Sequence, residues 1–201
     1  MRHLIIRSRA LTVSLVLLAL ATALSHAQDL ASMTGVVADT TGALIPDTSV
    51  VLTNDAMFAE LICDGIHSMP EMAQLWWHAK GPERAILVTD AMSAAGMPDG
   101  EYRLGGLTVQ VAQGRATADG VLAGSVLTLD RALVNFLSFT GATVEQGLRL
   151  LTGNPAAMTG FEEEAGHVRA NRPANLVAVD PEGTLIASFM SGVPVYRQHA
   201  A

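Results

Sequence analysis

The sequence predicts an α/β fold, and three observations predict it. A short apolar run, Glu60 to Ile66, ends at the polar His67. A helical apolar pattern follows, with Met72, Leu75, Trp76 and Ala79 at i, i+3, i+4 and i+7. Then Ala85-Ile86-Leu87-Val88-Thr89 is apolar on both faces, as a buried parallel strand is, and ends at Asp90. Strand, helix and parallel strand form one crossover unit, and its two strands deliver His67 and Asp90 to the same edge of the sheet.

The elements before this unit have a different character. Arg2, Arg7 and Arg9 precede the apolar run Ala10 to Leu20, and Ser25-His26-Ala27 places small residues at a cleavage position. Residues 1–27 therefore read as an export signal, with an uncleaved membrane anchor as the alternative. Residues 28–55 hold two β-branched runs, Thr34–Asp39 and Thr48–Thr53, around the turn-rich Thr41–Asp47. The part from Met33 to Asn54 resembles the start of carboxypeptidase-regulatory-like β-sandwich domains. Two strands alone bury no core.

Within residues 56–197, Pro70 occupies a favoured first helical position and Gly81-Pro82 stops the helix. Gly105-Gly106 reads as a two-residue hairpin turn, and Gln113-Gly114 and Asp119-Gly120 as further turns. Ser125 is placed to cap a helix whose apolar face is Leu129, Leu133, Phe136 and Leu137. A second helix follows Thr143, with Gln146 positioned for a capping box, a Glu145–Arg149 pair at i, i+4, and an apolar face of Val144, Leu148 and Leu151. Asn154-Pro155 ends it and begins a short third helix. The strands Leu176–Asp180 and Thr184–Phe189 are joined by the turn Asp180-Pro181-Glu182-Gly183, and Val193–Tyr196 adds one more.

Composition narrows the function. Half the residues are hydrophobic and 15% are charged, which is a core-forming balance. A formal net charge of -7, with no basic stripe after Arg9, argues against nucleic acid as a partner. The single Cys63 excludes an intramolecular disulfide and a cysteine-based zinc site, and reads as a small core residue. Trp76 and Trp77 read as helix packing, His78, His167 and His199 as surface residues, and Glu162–Glu164 as a solvated turn.

Six motifs then line up in order. Asp64-Gly65-Ile66-His67, Leu87–Met92 and Ala95–Gly100 resemble barrel segments of the N-acetylglucosamine-6-phosphate deacetylases, in the amidohydrolase superfamily. Leu122-Ala123-Gly124-Ser125 resembles the substrate loop of that family. Asn154-Pro155-Ala156, and Gly166-His167-Val168 through Asn175-Leu176-Val177, resemble the amidohydrolase ending. The resemblance implies the C-terminal strands and helices of a (β/α)8 barrel, so a partial barrel, with a small C-terminal β-sandwich portion. It implies removal of acetate from an N-acetyl amino-sugar phosphate. Asp90 matches the catalytic aspartate, which activates the attacking water and then protonates the leaving amine. His67 matches a substrate-binding histidine, and Leu122, Ala123 and Gly124 match the loop whose backbone meets the sugar phosphate. A homodimer is implied as well.

The same resemblance implies a divalent metal, zinc or iron, whose ligands lie earlier in the barrel: a polar strand end of His-x-His or equivalent type, a Glu and two His. None has a counterpart in this sequence, so no metal-ligating residue is assigned, and the expectation is a truncated deacetylase that is inactive alone. Two other readings stand beside it: a non-catalytic exported binding module, and a spurious fusion of two gene pieces. Asn171 and Asn175 stand where the family ending usually has Gly and Asp; Asn171 tolerates a left-handed turn and Asn175 keeps an acceptor.

Overall fold

The computed structural model describes residues 51–198. The export signal and nearly all of the carboxypeptidase-regulatory-like segment lie outside them. Of the second β-branched run, Val51, Leu52 and Thr53 are described, and they are helical rather than extended. Val51 and Leu52 pack against the main apolar core, and that contact outweighs their strand preference.

The crossover unit is present. Strand β1 (Ala59–Ile62), helix α1 (Pro70–Arg84) and strand β2 (Ala85–Val88) follow in order. β1 and β2 pair in parallel, Ala59 opposite Ala85 and Leu61 opposite Leu87. Pro70 opens α1 as expected, and Gly81 breaks it with φ 60 and ψ -172 ahead of Pro82. The buried face of α1 is Ala73, Trp76 and Lys80, while Leu75 and Ala79 are exposed. The apolar face read from the sequence is thus rotated, because Lys80 turns inward. Its Nζ donates to the carbonyls of Asn54 and Met57 at 2.8 Å each, which satisfies the buried amine.

An antiparallel meander follows: β3 (Gly100–Leu104), β4 (Leu107–Ala112), β5 (Arg115–Ala118) and β6 (Val121–Leu122). Each of its three connections is a two-residue turn at the glycine-containing pair read from the sequence. Gln113 and Gly114 have φ of 53 and 76, and Asp119 and Gly120 have 50 and 79, the two positive values that the favoured hairpin turn needs. Val109, Val111 and Ala116 of this sheet pack with Met92 and Ala94 into a separate small core.

Three helices come next: α2 (Leu129–Thr140), α3 (Val144–Leu151) and α4 (Gly153–Thr159). Ser125 does not cap α2. Thr128 is its first flanking residue, and the Ser125 hydroxyl instead accepts from Leu127 N at 2.8 Å. Leu129 is exposed, and the buried face is Ala132, Leu133 and Phe136. The capping box at Thr143 and Gln146 is complete. Arg149 turns to Glu83 and Asn154 rather than to Glu145. The most buried positions of α3 are Gly147 and Leu150, since α3 crosses α2 closely there.

The third sheet is β7 (Leu176–Val179), β8 (Leu185–Met190) and β9 (Val193–Arg197), antiparallel in that order. The main core gathers Ala59, Cys63, Ala73, Trp76, Ala85, Leu87, Phe136 and Leu150 from β1, its exit, α1, β2, α2 and α3. Trp76 and Trp77 both meet Phe136 edge-to-face, with centroids 6.3 and 5.1 Å away, so both are packing residues. No helix among the described residues is long and apolar enough to cross a membrane.

Candidate active site

Parallel pairing puts the C-terminal ends of β1 and β2, at Ile62 and Val88, on one edge. The loops that leave this edge carry Asp64 to His67 and Asp90 to Met92. Polar residues gathered at such an edge are where α/β folds place their chemistry.

After β1, Asn135 of α2 donates from Nδ2 to the Cys63 carbonyl at 2.9 Å and fixes where the chain exits the strand. Cys63 is fully buried, and burial first, then the Asp64 charge, push its thiol up to about 12. Asp64 closes the loop that follows. Its Oδ1 accepts from the backbone N–H of Ile66 and of His67, each at 2.8 Å. Its Oδ2 lies 2.7 Å from His67 Nδ1. Gly65 between them has φ +74, a left-handed backbone that favours glycine, and a Cβ there would come into contact with the Phe139 ring at 3.4 Å.

After β2, Asp90 has φ 47, a left-handed backbone that costs an ordinary residue of order 1–3 kcal/mol and persists only where neighbours impose it. The neighbour is the Leu122–Ser125 loop. Ser125 N donates to the Asp90 carbonyl at 3.2 Å, and Met92 N donates back to the Ser125 carbonyl at 2.8 Å. Ala91 and Ser125 form a short parallel bridge. Gly124, at φ +79, lies against Met92, and an added Cβ would sit 3.5 Å from Met92 Cβ and 3.8 Å from the Asp90 carbonyl. The Asp90 side chain itself is exposed at the strand edge.

The structure therefore joins Asp90 to the Gly124 loop by backbone contacts and sends His67 out from the same edge. Leu122 lies in β6 opposite Thr117, and the Ala123 amide already donates to the Ala116 carbonyl at 2.9 Å. Gly124 is the loop residue next to Asp90. The sequence reading placed Asp64 in a family motif but gave it no role, and it passed over Asn135. An Asp three residues before a His with Gly between them was a readable sign of a side-chain-closed loop, and Asn135 stood out as a polar residue beside an apolar helix face.

A divalent ion needs several ligating side chains in one place. Among the described residues no group of three or more His, Cys, Asp or Glu side chains is so placed. The donor set among the described residues does not fit the metal that the resemblance implies.

Solved deacetylases superpose on the chain, which is consistent with an amidohydrolase fold. The chain belongs to the N-acetylglucosamine-6-phosphate deacetylase family. It is 41% identical over 130 residues to an Escherichia coli K12 protein provisionally named N-acetylgalactosamine-6-phosphate deacetylase, covering 77% of that protein. It is 36% identical over 143 residues to the Bacillus subtilis N-acetylglucosamine-6-phosphate deacetylase, covering 70% of this chain and 36% of that one. The Thermotoga maritima deacetylase structure matches with a TM-score of 0.71 at 32% identity, over 81% of this chain and 47% of that one. A Mycobacterium smegmatis deacetylase variant in complex with N-acetyl-D-glucosamine-6-phosphate matches with a TM-score of 0.69 at 29% identity, over 79% of this chain and 42% of that one. The chain thus spans about a third of the length of relatives such as the Bacillus subtilis protein. No family model matches it.

Proposed function

We propose that this chain carries the carboxylate side of an N-acetyl amino-sugar-phosphate deacetylase site: it binds the sugar phosphate and supplies Asp90, without completing hydrolysis alone. The supporting observation is the stitching of the Gly124 loop onto the Asp90 backbone, at the edge from which Asp64 and His67 also leave. In this reading Asp90 takes a proton from the attacking water and returns it to the leaving amine. His67 meets the acylated sugar, and the Gly124 end of its loop faces the phosphosugar. The finer fold reading belongs to the same proposal: the crossover unit and helices as the C-terminal part of a barrel, β7–β9 as part of a small sandwich, and an exported location signalled by residues 1–27.

Calorimetric titration with N-acetylglucosamine-6-phosphate, beside an acetate-release assay with added zinc, tests it. Saturable binding that Gly124→Val weakens at least ~10-fold, about 1.4 kcal/mol, with no acetate above background, is the expected result. No binding by the folded chain would overturn the reading. Acetate release that Asp90→Asn abolishes would overturn the clause that the chain is inactive alone.

A further inference from the structure

The Asp64–His67 pair is more than a loop closure. An ionised carboxylate offers acceptors only. Asp64 uses Oδ1 for the two backbone N–H groups of Ile66 and His67, and these two bonds alone suffice to close the turn. Oδ2 remains, and it is aimed at the ring of His67 at 2.7 Å. Asp64 is nearly buried, with 8% of its side chain exposed, against 22% for His67. The ring is therefore gripped on its Nδ1 side by a sheltered carboxylate. That carboxylate stands on a loop fixed at its root by Asn135 and sharpened at Gly65.

A nitrogen facing a carboxylate must carry the proton, because two lone pairs at that distance repel. In the neutral ring the proton then sits on Nδ1, and Nε2 keeps its lone pair. We infer that Asp64 is a positioning residue, which fixes His67 in the Nδ1–H tautomer and turns Nε2, as an acceptor, to an N–H or O–H group of an N-acetylated amino sugar. The inference rests on the reading of His67 as a substrate-side residue, and it adds which atom acts and what holds it. In the other tautomer Nε2 would carry a hydrogen and would select an acceptor on the ligand instead. The Asp64 carboxylate thus chooses the kind of group that His67 recognises, without itself touching the sugar.

Nitrogen-15 imidazole spectra of the full chain decide it, recorded at about pH 8.5, above the ordinary imidazole range, with His67→Gln assigning the signal. The expected wild-type spectrum has Nδ1 at a pyrrole-type shift and Nε2 at a pyridine-type shift. Asp64→Asn keeps an oxygen for the two backbone N–H groups but presents an NH2 to the ring, so the two shifts should exchange. Wild type with the proton on Nε2 overturns the inference, and that spectrum decides even if the Asn variant does not fold. Adding N-acetylglucosamine-6-phosphate should then move Nε2 and leave Nδ1 in place. A correct tautomer with an unmoved Nε2, in a chain that binds the sugar, overturns the substrate half. No sugar binding at all, with the correct tautomer, counts against the proposed function and leaves the positioning by Asp64 standing.

Discussion

Asn154 is 2% exposed, and its side-chain amide closes around the entry to β2. Its Nδ2 donates to the carbonyls of Pro82 and Ala85, at 2.8 and 2.7 Å, and its Oδ1 accepts from Arg149 Nε at 3.2 Å. Pro82 follows the break at Gly81 and Ala85 opens β2, so the amide ties the end of α1 to the start of the strand. Asn154→Ala removes both donors at once and should cost about 2–4 kcal/mol in urea unfolding; a loss below ~0.5 would show that water replaces the amide. Cys63 allows a second test. Burial, followed by the Asp64 charge, raises its thiol to about 12, so the folded chain holds that proton more tightly than the unfolded chain, whose thiol titrates near ~8.5. The stability tied to this group is complete below about pH 8 and declines as pH rises toward 12. Alkylation by iodoacetamide at about pH 8.5 should be negligible in the native chain and complete in urea; rapid native labelling would refute the burial. Some residue-scale detail was readable in advance. Asn171 does take a left-handed φ of 63, and the Asn175 side chain does serve as an acceptor, for Ser191 N at 2.8 Å. The pinning by Asn154 was not readable, because its partners lie about seventy residues earlier in the chain.

Elements governed by local chemistry were the most legible. Glycine-containing pairs between strands gave three correct turns, and Thr143 with Gln146 gave the capping box, since both depend on neighbours in sequence. Faces that depend on distant partners were less so. α1 turns Lys80 inward because two carbonyls 26 and 23 residues earlier receive its amine, and no periodicity rule anticipates a buried lysine. The closest helix contact sits at Gly147 of α3, where an added Cβ would lie 2.5 Å from Leu133 Cδ1 and 3.2 Å from Leu137 Cδ2. Gly147→Ala gains helix propensity of up to ~1 kcal/mol and forces overpacking worth roughly 1–3 kcal/mol. The clash should win, giving a net loss of up to about 2 kcal/mol and a lower Tm by calorimetry. A raised Tm would show that the two leucines move aside freely.

Across the whole molecule, α2 is the strut that ties the candidate site to the C-terminal sheet. Asn135 holds the exit of β1, Phe136 receives both tryptophans of α1, and Leu133 and Leu137 meet α3 at Gly147. On its way to β8 the Asp180–Gly183 turn also lands on this helix. Gly183 has φ +86, and a Cβ there would lie 2.9 Å from Leu137 Cδ1 and 3.2 Å from Leu133 Cγ. Leu133 is thus flanked by two glycines, at each of which an added Cβ would crowd it. Neither approach was visible in the sequence, where Gly183 read as an ordinary turn residue and nothing marked Gly147 as a point of contact. Leu133→Ala should cost about 2–5 kcal/mol by leaving a cavity between α3 and the turn. In that background the added methyl of Gly147→Ala enters the vacated space instead of clashing. The double variant should therefore be more stable than the two single losses summed, by roughly 0.5–3 kcal/mol. Urea unfolding of the four chains measures this coupling. Strict additivity would mean that the contact at Gly147 is relaxed in solution, and α2 would then not transmit packing from the C-terminal turn to the edge that bears His67 and Asp90.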